Sequence, residues 1–296
     1  MRVSGAASGI ALAVLATACF ATLDSSTKYA GASIPLFMAI WFRYAFQAAA
    51  STALILPTRG FAALRTAHPR FQCLRGLLLL LTSVFAFFSL RHMPVGEFTA
   101  IVMVTPLAIT LLAATVLKER VSGLRWALVA GGFAGTLLVM RPGGQAFQWA
   151  MLLPLGLVAC NAWFQVLTSR LAQTEDPITM QFYSGWVGTL ITSVFLPLVW
   201  TPPPHAAVWG ALLLMGVMGT AGHLLLTIAY RRAPASTLMP FVYAQIGFAM
   251  LGGWLLFDHV PDATAVAGMV TIALCGAAGA WLTVRESRIV VQPAES

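Results

Sequence analysis

Charged residues are scarce in this chain, in which Asp, Glu, Lys and Arg make up only 9% of 296 residues. A typical soluble domain has about 25% charged residues. Hydrophobic residues make up 59% of the sequence, and the mean hydropathy is +0.85. A soluble core that buried so much apolar surface would leave too few polar residues for the outside, whereas a bilayer accepts apolar side chains directly. The composition argues against a soluble protein and predicts an integral membrane protein.

Acidic residues, cysteines and histidines are also few. Nine Asp and Glu residues against 17 Lys and Arg residues give a net charge of +8. The basic residues occupy short connections between apolar runs and form no continuous basic face, so we expect no nucleic-acid partner. The four cysteines lie in or beside apolar runs without CxxC spacing, which favours packing. The five histidines are scattered, so we expect neither a metal site nor a cofactor.

Ten apolar runs follow one another along the chain, each close to the 20 or so residues that cross about 30 Å of hydrocarbon. Residues 8–23 resemble the core of a signal peptide, but only Arg2 precedes them and equally apolar runs follow, which favours a retained helix. The ten runs lie near residues 8–30, 34–56, 72–91, 95–117, 122–140, 149–170, 179–199, 207–230, 236–257 and 263–284.

The basic residues predict the orientation of these runs. With a cytoplasmic amino terminus, only Lys28, Arg91 and Arg141 of the 17 Lys and Arg residues lie at outer ends, and Arg43 lies inside a run. The other thirteen, among them Arg75, then belong to the inner side. Since positive residues concentrate in cytoplasmic loops, both termini are expected in the cytoplasm.

The two halves of the sequence correspond to each other. The stretch that ends in Pro94 before the fourth run resembles the stretch that ends in Pro234 before the ninth run, 140 residues later. Five helices per half is an odd number, so the halves face opposite ways. The sequence therefore predicts an all-α integral membrane fold of ten transmembrane helices in two inverted five-helix repeats, over residues 8–141 and 149–284.

Several motifs carry a resemblance to the drug/metabolite transporter superfamily, EamA type, over nearly the whole chain. They are Met93-Pro94-Val95-Gly96-Glu97, Pro106, Leu117-Lys118-Glu119-Arg120, Gly132, Gly135 and Arg141-Pro142-Gly143. Residues 20–29 followed by Phe42-Arg43 are similar to a branch that includes rickettsial S-adenosylmethionine carriers and acyl-malonyl-condensing-enzyme-like members of solute carrier family 35. The resemblance implies a ten-helix carrier with a central cavity in a bacterial inner membrane.

Ionisable residues inside apolar runs are candidates for function, because each one costs roughly 2.5 to 3.5 kcal/mol on insertion scales. Arg43 lies near the middle of the bilayer, where it binds a substrate carboxylate or phosphate or braces the bundle. Trp41 and Tyr44 beside it offer stacking surface or packing. Asp24 and Lys28 share a helix face and either pair structurally or bind substrate or protons.

Glu97 and His223 are further candidates for ion or proton coupling. Glu97 falls in the first turn of the fourth helix, where the helix dipole favours its charge, or it forms an outer gate with Arg91 or His92. His223 is either a neutral core residue or a proton switch. Four more residues, which line the cavity or bond between helices, are Asn161, Gln165, Tyr243 and Gln245.

These observations predict a secondary transporter, an exporter or exchanger of metabolites such as amino acids, S-adenosylmethionine-like or carboxylate compounds, working by alternating access. The expected partners are a small-molecule metabolite and the lipid bilayer, for a monomer or a homodimer. No GxxxxGK[ST] loop is present, so ATP is not the direct energy source. The alternatives are a membrane-embedded transferase, for which no nucleophile motif is found, and a non-transporting membrane partner protein.

Overall fold

Ten α-helices account for most of the described chain. The computed structural model describes residues 2–60, 64–105, 107–108, 123–140, 149–233, 238 and 241–290, and no strand occurs among them. The helices are α1 Arg2–Gly31, α2 Leu36–Arg59, α3 Pro69–His92, α4 Val95–Val102, α5 Gly123–Met140, α6 Leu153–Leu171, α7 Pro177–Val199, α8 Ala206–Arg232, α9 Ala244–Phe257 and α10 Ala263–Val290.

Many of these helices have the length and composition of membrane spans. Five are long and apolar enough to cross a bilayer, over Ala7–Gly31, Pro69–His92, Trp149–Leu171, Pro177–Val199 and Ala206–Arg232. Shorter apolar helices cover Trp126–Val139, Ala244–Phe257 and Ala263–Gly279. The all-helical membrane class is therefore supported, while ten spans with both termini inside stay a prediction.

The bundle exposes large apolar side chains and also buries several polar ones. On α7, Leu190, Val194 and Leu198 form a stripe at four-residue spacing with 61%, 71% and 82% of their surface exposed. Gln72 and Arg75 on α3, by contrast, are completely buried. Exposed apolar stripes around buried polar side chains are what a lipid solvent permits and water disfavours.

Arg75 corrects one part of the orientation argument. The sequence analysis counts it among the basic residues of the inner connections, but it lies in the seventh position of α3 and is fully buried against α6 and α7. Its charge therefore belongs to the interior of the bundle and does not contribute to the charge bias of the loops.

Two helices are interrupted at corresponding places. The run predicted over 95–117 breaks at a turn formed by Met103 and Val104, and the run predicted over 236–257 breaks at Tyr243, 140 residues after Met103. At the first break the hydroxyl of Thr105 donates to the carbonyl of Val102, at 2.6 Å. The parts of these runs that fall on residues 106, 109–117, 236, 237, 239 and 240 lie outside the described residues.

The helices of the first five pack mainly on helices of the second five. α1 packs on α8 and α9, and in the same way α6 packs on α3 and α4. α2 contacts α8 as α7 contacts α3, while the pairs α2 with α7, α4 with α9 and α5 with α10 each join corresponding helices. The strongest packing contacts therefore keep the same pattern when the two sets of five are exchanged.

Glycines on α7 allow it to approach α2 closely. A Cβ atom on Gly185 would lie 2.7 Å from the backbone nitrogen of Ala48, and one on Gly188 would collide with the ring of Tyr44. Small residues at such crossings let membrane helices gain van der Waals contact without a hydrophobic driving force. The close approach of α2 and α7 thus depends on glycine, which has no side chain, at positions 185 and 188.

Gly185→Ala is expected to destabilise the α2–α7 interface by about 1–3 kcal/mol in the free energy of unfolding, because the new methyl group meets backbone that cannot yield. The melting temperature of the purified protein in detergent measures the effect. Gly247→Ala is the matched control, since a Cβ there has no neighbour within 4 Å. Equal melting temperatures for both variants would show that the interface tolerates the methyl group.

Candidate functional site

A cavity of about 130 Å³ lies in the middle of the bundle. Helices α1, α2, α3, α4, α6, α8 and α9 contribute to its wall, together with Met103 at the break after α4. Most of the lining is apolar, with aromatic rings from Phe20, Phe87, Phe98 and Phe164. The polar lining residues are Asp24, Thr27, Arg43, Thr82, Ser83, Asn161, Gln165, His223 and Gln245.

Arg43 projects from α2 into this cavity and is 6% exposed. One terminal nitrogen of its guanidinium, Nη1, donates to the hydroxyls of Ser83 and Tyr44, the latter at 3.3 Å, and the other, Nη2, lies 3.1 Å from Nε2 of His223. Its Nε–H has no partner in the described part of the chain. No described carboxylate forms an ion pair with it. The guanidinium is thus braced by neutral groups and keeps a charge that no described carboxylate pairs with.

A glycine makes the room for this guanidinium. Gly219 on α8 faces Arg43, and a Cβ atom at that position would lie 3.0 Å from Nε. Any larger residue would press on the side chain and alter the direction of its donors. Gly219 therefore contributes to the site by leaving room for the side chain of Arg43.

His223 is held as a neutral acceptor. A guanidinium has donors only, so Nε2 of His223 accepts the hydrogen from Arg43 and is itself unprotonated. The imidazole also contacts the rings of Phe20 and Phe164, with centroid distances of 4.8 and 5.6 Å. Of the two hypotheses for His223, this geometry favours the neutral residue in the form described.

Asp24 faces the cavity and does not pair with Lys28. The ammonium of Lys28 donates to the carbonyl oxygens of Leu90 and Met93, both at 2.8 Å, and so binds the carboxyl end of α3, where the helix dipole favours a cation. The half-buried Asp24 accepts a hydrogen bond from Gln245 at 3.4 Å and is attracted by the charge of Arg43. Its carboxylate therefore remains directed to the cavity.

The remaining candidates divide into two groups. Asn161, Gln165 and Gln245 line the cavity, and Gln165 also accepts from the hydroxyl of Tyr230 at 3.1 Å. Trp41, Tyr44 and Tyr243 do not line it. Trp41 donates to Ser193 at 2.8 Å and joins α2 to α7, Tyr44 is fully buried beside Ser83, and Tyr243 is buried against Gly276 at the helix break.

Glu97 lies away from the cavity, in the first turn of α4. Its carboxylate is 3.5 Å from Nε2 of His259, which pairs with it when protonated, and it also interacts with the charge of Lys28. His259, together with Lys28, Arg91 and His92, lines a second pocket of about 300 Å³ at one end of the bundle. Glu97 is therefore placed at the rim of the bundle.

Hydroxyl groups and aromatic rings that were not predicted from the sequence complete the cavity. Ser83 binds both Arg43 and Tyr44, and Thr82 and Thr27 add further hydroxyls to the wall. A small polar residue inside an apolar run is a weak signal, because it often bonds only to its own helix. No three His, Cys, Asp or Glu side chains lie together as potential metal ligands in the described part of the chain.

Comparison with known families gives two matches within this chain. The model of the EamA-like transporter family matches residues 7–141 and again residues 148–282. Together the two matches cover most of the sequence.

Individual relatives are named as transporters of different compounds. The pseudopaline exporter of Pseudomonas aeruginosa is 28% identical over 90% of this chain and 94% of its own length. The riboflavin transporter of Vibrio cholerae is 30% identical over 86% and 87% of the two chains, and the S-adenosylmethionine uptake transporter of Rickettsia prowazekii is 26% identical over 84% of each. The relatives thus differ both in substrate and in direction.

A solved crystal structure has the same fold. It superposes with a TM-score of 0.65 over 97% of this chain and 99% of its own, at 23% sequence identity. At that identity the likeness concerns the fold alone.

Ser83→Ala is expected to lower the free energy of unfolding by about 1–3 kcal/mol, because Nη1 of the buried Arg43 loses the nearer of its two acceptors. The melting temperature in detergent measures the loss. Thr82→Val provides the control, since the hydroxyl of Thr82 also lines the cavity but bonds only to the carbonyl of Leu79 in its own helix. Equal melting temperatures for the two variants would show that Ser83 does not stabilise the position of Arg43.

Proposed function

Because this chain belongs to the EamA-like transporter family, we propose that it is a secondary transporter that carries small organic metabolites across a bacterial inner membrane by alternating access to the cavity at Arg43. The observation that carries this proposal is the guanidinium in the cavity wall, whose charge has no ion-pair partner among the described residues.

The proposed architecture is two inverted repeats, over residues 8–141 and 149–284, with ten spans and both termini cytoplasmic. The exchange symmetry of the helix packing supports it, because a two-fold axis between the repeats would produce that pattern. The helix breaks at Met103 and Tyr243 support it further, since they lie 140 residues apart. The charge bias of the connections supports the orientation, with Arg75 removed from the count.

Alternating access follows from this architecture. Both broken helices reach the cavity, through Val102 and Met103 on one side and Val242 and Gln245 on the other. Interrupted helices beside a central site are a recurrent feature of transporters, and rocking of one repeat against the other opens the site to either face. Backbone breaks at the cavity wall let the lining change without unfolding a whole span.

The charges of the cavity support an anionic or zwitterionic substrate. The forked guanidinium of Arg43 suits a carboxylate or phosphate, and the carboxylate of Asp24 suits an ammonium or another cationic group. The rings of Phe20, Phe87, Phe98 and Phe164 suit an apolar or aromatic remainder. Amino acids, S-adenosylmethionine-like compounds and carboxylates meet this description, and the relatives named for S-adenosylmethionine and pseudopaline are consistent with it.

Coupling to protons would use the carboxylate in the cavity. Asp24 is the ionisable cavity residue that has no strong hydrogen-bond donor in the described structure, since Gln245 is 3.4 Å away. A proton on Asp24 would remove its attraction for Arg43 and so change the field at the substrate. His223 is committed to Arg43, and Glu97 lies at the rim of the bundle, so Asp24 is the candidate that we favour.

Arg43→Ala should abolish transport, because the substrate anion loses its charged partner in a low-dielectric cavity. Untargeted metabolomics of a deletion strain and an overexpressing strain identifies candidate substrates, and uptake of the leading compounds into proteoliposomes measures transport. Arg43→Lys should also fail, because an ammonium lacks the forked donors.

Arg231→Ala is the control, since Arg231 is exposed at the carboxyl end of α8. Each variant is first checked for insertion and for a single peak in size-exclusion chromatography. Wild-type transport rates in a folded Arg43→Ala protein would refute the role of the guanidinium.

Asp24→Asn should remove the effect of an imposed pH gradient on transport in proteoliposomes, because the amide cannot take up and release a proton. Transport down a substrate gradient at uniform pH should continue. Asp258→Asn is the control, since Asp258 is exposed and its left-handed backbone, with φ of 50°, also accepts Asn. A pH-gradient response that survives in Asp24→Asn would exclude Asp24 as the proton site.

A further inference from the structure

A second arginine lies inside the bundle, outside the cavity. Arg75 on α3 is completely buried and does not line the cavity. Its Nε donates to Thr168, and its Nη1 donates to the carbonyl of Met180 and the hydroxyl of Ser184, all at 2.8 Å. Arg75 therefore connects α3 with α6 and α7.

Every partner of Arg75 is neutral. No carboxylate forms an ion pair with it in the described structure, and its Nη2 has no hydrogen-bond partner there. Glu175, a buried carboxylate at the connection of α6 and α7, binds instead to the hydroxyl of Thr66 and the amide of Ala67. Burying a charge without a counter-ion costs desolvation free energy. An anion bound at Arg75 would offset that cost.

A second polar side chain without partners lies one turn away. Gln72 is completely buried, and neither its amide nitrogen nor its oxygen has a hydrogen-bond partner in the described structure. Residues three apart share a face of a helix, so Gln72 and Arg75 face the same neighbours. A buried amide that satisfies neither its donor nor its acceptor is rare when its only role is packing.

A cluster of apolar and aromatic side chains separates Arg75 from the cavity. Ile40, Tyr44, Leu79, Leu80 and Phe164 pack together, and we call them the plug. Leu79 and Phe164 face the cavity, while the guanidinium of Arg75 lies 4.9 Å from the ring centre of Phe164.

Arg75 is eight residues before Ser83 on α3, a rise of about 12 Å along the helix. Because Ser83 binds Arg43, the two arginines stand on opposite sides of the plug.

We propose that Arg75 and Gln72 form a second anion-binding station, which receives the carboxylate or phosphate group of the substrate after it leaves Arg43 and passes the plug. This proposal rests on the proposed transport function. In the orientation given above, the station lies on the cytoplasmic side of the cavity, about 9 Å from the start of α3. The unused Nη2–H of Arg75 and the amide of Gln72 supply the donors, and the plug is the barrier that opens between the stations.

Charge-selective labelling of a single thiol tests the station. Gln72→Cys is made in a protein in which Cys19, Cys160 and Cys275 are Ala and Cys73 is Ser. The thiol is reacted with an anionic reagent, sulfonatoethyl methanethiosulfonate, and with a cationic one, trimethylammonioethyl methanethiosulfonate. The same measurement is repeated with Arg75→Gln and with Arg75→Lys.

The neighbouring native thiol supplies the control. Cys73 is exposed, so a protein that keeps Cys73 alone reports the reactivity ratio of the two reagents at the surface of the same end of α3. Relative to that ratio, the thiol at position 72 should prefer the anionic reagent by on the order of tenfold, because a full charge lies a few ångströms away. Arg75→Gln should abolish the preference and Arg75→Lys should retain it.

Two results would overturn the station. One is a thiol at position 72 that reacts with neither reagent while Cys73 reacts, which would show a sealed structural cluster. The other is a reactivity ratio equal to that of Cys73, or one that Arg75→Gln leaves unchanged in a folded protein. Transport by the wild-type protein is measured in parallel, so a failed station with intact transport is distinguished from a failure of the transport function itself.

Discussion

The arginine of α2 is the constraint on which the rest of the bundle depends. A guanidinium with no adjacent carboxylate can remain in an apolar interior only if neutral groups accept its hydrogens. Ser83, Tyr44 and His223 supply these acceptors from α3, α2 and α8, and Gly219 leaves the space that the side chain occupies. The positions of three helices are thereby linked to the orientation of one side chain.

Close packing of α2 and α7 also helps to hold Arg43 in position. α7 approaches α2 through Gly185 and Gly188, and the second of these glycines faces the ring of Tyr44. Tyr44 in turn holds Ser83 at 2.8 Å, so the α2–α7 crossing and the bracing of Arg43 depend on one another. A substitution at the crossing would therefore reach the cavity, although neither glycine lines it.

The helix breaks at Met103 and Tyr243 could not be predicted from the hydropathy of the sequence. Hydropathy does not divide the apolar runs over 95–117 and 236–257, because it is averaged over a window of residues and does not detect a turn of one or two residues. The first turn lies at Met103 and Val104, and there the hydroxyl of Thr105 donates to the carbonyl of Val102. Arg75 was misplaced for a related reason, since a charge near the start of an apolar run is as compatible with a loop as with a buried helix.

Composition and apolar periodicity by themselves determined that this protein is an all-helical membrane protein, and its motifs indicated the family to which it belongs. They also singled out Arg43 and Asp24, because an ionisable group in a long apolar run needs a special environment wherever it points. Only the tertiary structure decided which side chains meet. Lys28 donates to a carbonyl at the end of α3 and does not pair with Asp24. Glu97 contacts His259, which lies 162 positions further along the chain. Contacts between distant helices depend on the rotation and depth of each helix in the bundle, and no local pattern of residues encodes these.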